Sequence, residues 1–132
     1  MRAGRRLRQL VIARIEDQVA ALAGQVFDQA IDSTAYPYVT MGPSYWNDTS
    51  VTCVKARTMT LQIDLWHSQD SKGACEDLTD DIAAAIQGWS DTTALTMHPA
   101  QVSLVRVMDD PSGDVHGIIQ MEVRIENDPE LS

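Results

Sequence analysis

The sequence has few cysteines and no long apolar run. Only two of its 132 residues are cysteines, Cys53 and Cys75, and they lie in different predicted elements, outside any Cys/His spacing typical of zinc sites. We therefore expect two free thiols, no metal site and a reducing compartment. The longest apolar stretches are only a few residues, too short for a signal peptide or a membrane span, so we expect no membrane partner.

Motifs that carry chemistry are absent as well. The sequence contains no glycine-rich nucleotide loop, no nucleophile elbow, no zinc-protease motif and no EF-hand spacing. This absence predicts a protein with no cofactor and no catalytic residues, rather than an enzyme. The three histidines, His67, His98 and His116, are not spaced as metal ligands, and we interpret each as structural or solvent-exposed.

Two acidic clusters require an interpretation. Asp109, Asp110 and Asp114 lie in a segment with proline and glycine, where carboxylates are typical turn residues, although a calcium site is the alternative. The second cluster lies on the polar face of a predicted helix, and we interpret it as a solvated face. Its members are Glu76, Asp77, Asp80 and Asp81.

Positive charge is scarce outside the N-terminus. Residues 1–14 contain five of the ten cations and no acid, whereas the remaining 118 residues contain five cations and 19 acids, a net charge of −14. An acidic body repels a phosphate backbone, which argues against sequence-specific DNA binding. The N-terminal arginines are either a solvated helix start or a contact for an acidic partner or a neighbouring subunit. They are Arg2, Arg5, Arg6, Arg8 and Arg14.

Hydrophobic periodicity predicts two helices. Apolar residues at three- and four-residue spacing indicate one helix over about residues 5–22, with Gly24 as its stop. The same spacing indicates a second helix that follows the turn-like segment 68–73 and ends near Gly88. Each helix carries one apolar stripe, so each is expected to pack on an apolar surface.

Alternating apolar and polar residues predict four or five strands, at about residues 25–27, 36–41, 55–67, 102–108 and 115–126. Gly42-Pro43 is expected to break the second of these, which leaves 44–54 as a loop or hairpin tip. The order of elements implies a single α+β domain over residues 1–132, with a mostly antiparallel four- to five-stranded sheet and both helices packed on one face. Residues 1–4 and 127–132 are expected to be flexible ends.

The three tryptophans differ in their predicted surroundings. Trp46 lies in the predicted loop, where a large aromatic side chain gains little from folding alone, so it is either a lid on the core or an anchor at an interface. Trp66 and Trp89 end apolar stripes, and we expect both to pack in the core.

A series of short motifs follows the first helix in a fixed order. Residues 24–28 and 35–42 come first, then a strand that ends in residues 61–66, then an alanine-rich helix. A late motif, residues 106–117, leads into the long last strand. Together, over about residues 5–126, these motifs resemble the tail terminator (tail completion) proteins of long-tailed phages and gene transfer agents.

The resemblance implies a structural protein in the tail or neck of a virion or gene transfer agent particle, assembled in the host cytoplasm. It implies a homo-hexameric ring that caps the head-proximal end of the tail tube, ends tube polymerisation and joins the tail to the head-tail connector or stopper protein. DNA would pass through the lumen without specific binding, which suits an acidic body. The family works through oligomer surfaces, so no catalytic residues are implied.

Two groups of residues are predicted to make contacts in such a ring. We expect the segment 42–55 to meet the tube or a neighbouring subunit through Trp46. The full predicted interface consists of Trp46, Asn47, Asp48, Arg5 and Arg6. We expect some of six acidic residues to line or rim the channel, namely Asp77, Asp80, Asp81, Asp109, Asp110 and Asp114.

Two other functions stay open. A different neck component, such as a head completion or stopper protein, would bind DNA-filled heads rather than tails. A small ligand-binding or hydrolytic α+β domain would be a monomer or dimer with a deep pocket, and it would need convergent polar motifs that this sequence does not contain.

Overall fold

One helix and the turn after it organise the first part of the fold. The computed structural model describes residues 2–29 and 34–126. Helix α1 spans Ala3–Gln18, and a short 3-10 helix over Ala20–Leu22 follows it. Gly24 then adopts a φ of +72°, a left-handed conformation that glycine accepts at little cost. The chain continues into strand β1, Val26–Phe27, where an extended segment is predicted.

Helix α1 begins and ends earlier than the periodicity predicts. Ala3 is fully buried in the first turn, so the helix includes residues 3 and 4. Val19 and Leu22, the last residues of the predicted stripe, remain buried because the 3-10 turn continues the apolar surface. Of the expected flexible ends, residue 1 and residues 127–132 lie outside the described residues.

The strands form one mixed, mostly antiparallel sheet of six strands, which confirms the α+β class. Strand β1 pairs with β2, Tyr38–Asp48, which pairs with β3, Ala56–His67. Strand β3 pairs with β6, Val115–Glu126. The second edge of β6 carries β5, Gln101–Asp109, and the two-residue strand β4, Thr96–Met97, which the sequence did not predict. Within the described residues, β1 and β2 form the one parallel pair.

Strand β2 does not end at Gly42-Pro43. The register against β3 shifts at this dipeptide, and the strand then continues to Asp48. A bulge in an outer strand tolerates proline, because the missing N–H is not needed in the ladder. The predicted loop over 44–54 is therefore wrong for residues 44–48, and Trp46 lies in a strand.

Both helices pack on the same face of the sheet, which we call the helix face. A Cβ at Gly117 would collide with the Thr79 methyl group, so α2, Lys72–Ile86, packs directly on β6. A Cβ at Gly4 would lie 3.7 Å from Met59 Cε, which places the start of α1 over β3. The buried residues of β3 and β6 on this face are Met59, Leu61, Ile63, Leu65, Val115, Ile119, Met121, Val123 and Ile125.

The opposite side of the sheet, which we call the bare face, carries no helix among the described residues. Two strand edges also lack a partner strand within residues 2–29 and 34–126. We call them the β2 edge, residues 44–48, and the β5 edge, residues 104–109. Because the strand order is β1-β2-β3-β6 with β5 outside β6, the two edges lie at opposite sides of one sheet.

Candidate functional site

A buried histidine–carboxylate pair lies on the bare face, where β3 and β6 run side by side. His116 Nε2 is 2.7 Å from Asp64 Oδ1, and the two residues are only 9 % and 7 % exposed. Because a carboxylate oxygen only accepts hydrogen bonds, Nε2 carries the proton. Gln62 Nε2 donates a second hydrogen bond to the same oxygen at 2.8 Å. The desolvated Asp64 side chain thus has two donors, as a buried polar group requires.

Trp66 covers this pair. Its ring stacks on the His116 ring with centroids 4.0 Å apart and an interplanar angle of 12°. Its Nε1 donates a hydrogen bond to Thr40 Oγ1 at 3.0 Å, which ties β3 to β2. Trp66 follows the polar alternation of β3, so it lies on the bare face, and the expectation that it packs in the core is wrong.

The turn between β5 and β6 closes the cluster from the other side. Asp110 Oδ1 lies 3.8 Å from His116 Nδ1. The backbone N–H of Ser112 donates to Asp110 Oδ2 at 2.9 Å, and this bond holds the pKa of the Asp110 carboxyl below its ordinary value. The Tyr36 hydroxyl donates to Asp114 Oδ1 at 2.8 Å, which raises the pKa of Tyr36. Two carboxyl groups of the turn therefore fasten this end of the fold.

A shallow cleft of about 450 Å³ opens beside Trp66, bordered by Tyr38, Thr40 and the turn. Both ring nitrogens of His116 face carboxylates, at 2.7 and 3.8 Å, so neither points at a molecule in the cleft. A general base needs a free nitrogen within hydrogen-bond reach of its substrate. The arrangement is therefore a rigid polar cluster rather than an acid–base site, and it supports the structural interpretation of His116.

The cluster gathers residues from three separate sequence motifs. Thr40 comes from the motif 35–42, Asp64 and Trp66 come from 61–66, and Asp110 and His116 come from 106–117. Their meeting was not predicted, because it depends on the β3–β6 register, which sets Trp66 opposite His116 across 50 residues of chain. The sequence indicates only that these residues share one face of the sheet, through the polar alternation of the two strands.

The predicted interface residues of β2 lie toward the other end of the sheet. Trp46 is on the helix face, 50 % exposed, with the Arg57 guanidinium 3.8 Å from its ring centroid. Asn47 and Asp48 follow it and are exposed. Hydrogen bonds from Ser50 hold the pKa of the Asp48 carboxyl below its ordinary value. The contact of this segment with a partner stays a prediction.

The predicted interface residues of α1, Arg5 and Arg6, are exposed in its first turn. Arg6 Nη1 donates to the Ala94 carbonyl at 3.2 Å, toward the β4 side of the sheet. Arg8 pairs with Asp28 at 3.1 Å, toward the β1 side. Because residues three apart share a helix face, Arg5 lies with Arg8 on the β1 and β2 side.

The start of α1 and the exposed tryptophan meet at one corner of the fold. Gly4 lies over Met59, and Met59 is the cross-strand partner of Trp46. Arg57 lies over the exposed ring, and the first turn of α1, which carries Arg5, lies over the neighbouring Met59. We call Arg5, Trp46 and Arg57 the basic corner. Arginine and tryptophan are the residue types enriched at energetically important interface positions.

The predicted channel residues separate into two groups on different elements. Three lie in the turn after β5, where Asp109 Oδ2 is 3.3 Å from Lys72 Nζ. The other three, Asp77, Asp80 and Asp81, are exposed on α2. The six do not form a single patch, and their place in a channel stays a prediction.

Within residues 2–29 and 34–126, no group of three or more His, Cys, Asp or Glu side chains is arranged to hold a metal ion. None of the helices in the same ranges is long and apolar enough to cross a membrane. Both cysteines are free thiols, Cys53 exposed and Cys75 buried.

Comparison with known proteins identifies a family and a fold. Residues 9–126 match the family model described as "Tail completion protein gp17". The fold is similar to a chain in a structure described as "Virion of native gene transfer agent (GTA) particle", with a TM-score of 0.72 and 14 % identity. The match covers 87 % of this chain and 93 % of that chain, and at this identity it shows the fold alone. No curated protein matches the sequence.

Proposed function

The chain belongs to the family of the tail completion protein gp17, and we propose that it forms a hexameric ring that caps the head-proximal end of a tail tube. Membership makes it a structural protein of a virion tail, and the match over most of the chain is the observation that carries this conclusion. In the proposed role the ring ends tube polymerisation and joins the tail to the head-tail connector or stopper protein.

The surfaces of the fold support a ring. A ring needs heterologous contacts, in which two different surfaces of each copy meet and the rotation closes. The chain offers two different free edges at opposite sides of one sheet. It also offers an acidic body, which lets DNA pass through a lumen without a binding well along its path.

We assign the ring to the tail or neck of a phage or gene transfer agent particle. The chain of similar fold belongs to the virion of a native gene transfer agent particle, which supports this place. Some of the six acidic residues would line or rim the channel. The turn residues Asp109, Asp110 and Asp114 are the better candidates, because they lie at the end of the sheet and outside the helix layer. A ring structure with all six on its outer wall would contradict this assignment.

We propose no catalytic role. The polar cluster around His116 is satisfied by its own carboxylates and by Trp66, so its side chains serve the fold. A small-molecule activity would need a polar group directed at the cleft beside Trp66.

Electron microscopy of the purified protein, alone and mixed with tail tubes, tests the proposal. We expect class averages of a six-fold ring, and tubes that carry one ring at one end and no longer elongate. Binding to separately purified tails and DNA-filled heads distinguishes a tail cap from a head completion or stopper protein. A protein that stays monomeric and ignores tubes would contradict the proposed function.

A further inference from the structure

The two free edges of the sheet carry exposed apolar side chains. On the β2 edge, Tyr45 is 55 % and Trp46 is 50 % exposed, and on the β5 edge Leu104 is 44 % and Val105 is 40 % exposed. They are four of the six large apolar side chains that are exposed in the described part of the chain. Soluble proteins usually protect free edges with charge, proline or short length, because unpaired backbone groups bind another strand. These edges instead present the surface that a second strand would cover.

The two edges have similar lengths and side-chain patterns, and their directions allow antiparallel pairing between copies. They contain five and six residues, and β2 runs opposite to β5 because three antiparallel pairings separate them. A second copy in the same orientation therefore presents its β2 edge antiparallel to β5. Trp46 and Val105 both lie on the helix face, whereas Tyr45 and Leu104 both lie on the bare face. With Trp46 opposite Val105, apolar side chains meet directly on the helix face. On the bare face Tyr45 lies opposite Arg106 and Leu104 opposite Asn47, so Tyr45 and Leu104 are diagonal neighbours.

The helix layer is complementary in charge at the same two edges. On the β2 side, α1 presents Arg5 as part of the basic corner. On the β5 side, α2 presents Glu76 and Asp80, because they follow Lys72 at four-residue spacing and Lys72 pairs with Asp109 of β5. Pairing the edges of two copies would set positive charge against negative charge in the layer above.

The remaining acids of α2 lie on another side of the helix. Asp81 borders a cavity with Val19 and Ala20 of the same copy, and Asp77 lies one turn before it on the same side. Asp77 and Asp81 therefore face toward the chain's own α1, away from the β5 edge.

A shift along the strands between adjacent copies aligns the paired edges and the charged residues of the helices at the same time. Trp46 lies level with Val123 through Met59, whereas Val105 lies level with Ile119, an offset of four residues. At about 3.3 Å per residue, the shift between copies is roughly 13 Å. The same shift moves the start of α1 toward the first half of α2 in the adjacent copy. Closed rings of tilted strands require such a stagger.

We infer that copies of this chain join head to tail, the β2 edge of one pairing with the β5 edge of the next while the basic corner meets Glu76 and Asp80 of α2. The inference rests on the proposed ring and identifies the surfaces that close it. The bond is strand addition, in which backbone hydrogen bonds give affinity and the edge side chains give register.

Disulfide trapping tests the pairing of the edges. In a Cys53→Gly background, Ser44→Cys is combined with Val107→Cys, or with Val105→Cys for a register two residues away, all on the helix face. Mild oxidation should produce a ladder of covalent oligomers that ends at the ring size. The control combines Ser44→Cys with Arg106→Cys on the bare face, which should stay monomeric on non-reducing gels. Equal ladders for both pairs, or none in assembled rings, would overturn the pairing.

Charge exchange tests the helix layer. We expect the Arg5→Glu variant and the Glu76→Lys/Asp80→Lys variant each to lose rings at least about tenfold, because like charges then face each other. An equal mixture should restore rings in which native mass spectrometry finds three copies of each variant. The control Asp77→Lys/Asp81→Lys has the same charge change on the same helix and should keep rings.

The outcomes separate this inference from the proposed function. If the wild-type protein forms rings but the mixture does not restore assembly, or the control loses rings equally, the inferred surfaces are wrong and the ring stands. If the wild-type protein forms no ring, alone or on tail tubes, the proposed function fails first.

Discussion

Trp46 and Trp66 lie on neighbouring strands of one sheet, yet their surroundings are opposite. Trp66 stacks on His116 at 4.0 Å and donates its N–H to Thr40, so both its ring and its polar atom are used within one copy. Trp46 is half exposed, has Arg57 over one face of its ring, and makes no hydrogen bond within the described residues. The Trp66 end of the sheet thus has its contacts within one chain, whereas the β2 edge leaves a large aromatic side chain half exposed.

The two regions differ in what their exposed and buried groups require. Around Trp66, every polar group that folding removes from water has a partner, which fixes the register of β2, β3 and β6. Around Trp46, apolar area and positive charge remain uncovered, and covering them is the gain that assembly would provide. Substitutions at one end should therefore change stability, and those at the other should change assembly.

The largest expected effect is at Asp64. We expect Asp64→Ala to lower the free energy of unfolding by about 3 kcal/mol, because His116 and Gln62 lose their common acceptor inside the fold. This corresponds to a fall in Tm of about 10 °C for a chain of this size. Urea unfolding measures it, with Glu122→Ala on the same face as the exposed control, expected to change stability by less than about 0.5 kcal/mol. If Asp64→Ala and Glu122→Ala had the same free energy of unfolding, the buried Asp64–His116 pair would not be what stabilises the Trp66 region.

The second test replaces each of the two tryptophans by alanine in turn. Trp66→Ala should cost about 2 kcal/mol of stability, through lost stacking and packing, and leave the edges intact. Trp46→Ala should cost less than about 1 kcal/mol, the size of an exposed cation–π contact, but weaken ring assembly about 30-fold, as loss of a 2 kcal/mol interface anchor does. Thermal unfolding and sedimentation measure the two effects. Ring formation and tail joining at wild-type levels in Trp46→Ala would show that this residue is not an interface anchor.

Local periodicity carries most of the fold prediction. Helix α2, strand β3 and the hairpin of β5 and β6 follow their predicted positions closely, because each buries one face through residues that are near in sequence. The family resemblance depends on the same local motifs, so the sequence alone carries it.

Non-local pairing explains what could not be predicted. Gly42-Pro43 indicates a break by composition, but the adjacent β3 supplies a ladder that carries β2 through a bulge. Strand β4 has two residues and exists because β6 extends beyond β5. The contact of His116 with Asp64 depends on a register set across 52 residues. The sequence therefore indicates that the two residues share a face but does not identify them as partners.

A smaller effect should appear in the acid titration of the turn. Hydrogen bonds from Ser112 lower the pKa of Asp110, so this carboxyl stabilises the fold above its unfolded pKa of about 3.9, and the contribution is lost as pH falls through the folded pKa. NMR titration of the side chain measures the pKa directly. Ser112→Ala should raise the Asp110 pKa part of the way, because the backbone N–H remains, whereas Ser103→Ala on the exposed strand should not. No change in Ser112→Ala would show that its hydroxyl does not act on this carboxyl.

The smallest expected effect on stability concerns the two thiols. Their chemical reactivity should differ, because one is buried and the other is exposed. Burial raises the pKa of Cys75 to about 11, so at pH 8 this thiol stays protonated and shielded, whereas Cys53 is exposed in the loop after the β2 edge. Alkylation followed by mass spectrometry should label Cys53 at once and Cys75 only when the chain unfolds. Because the Cys75 pKa is raised, its contribution to stability is intact below about pH 8.5 and is lost as pH rises through about 11. Asp64→Ala should accelerate Cys75 labelling about 150-fold, the factor in the unfolding equilibrium that corresponds to about 3 kcal/mol, whereas Trp46→Ala should accelerate it less than about fivefold. Equal acceleration by both variants would mean that the Trp46 region also stabilises the single copy, and that the two ends of the sheet are less independent than their contacts indicate.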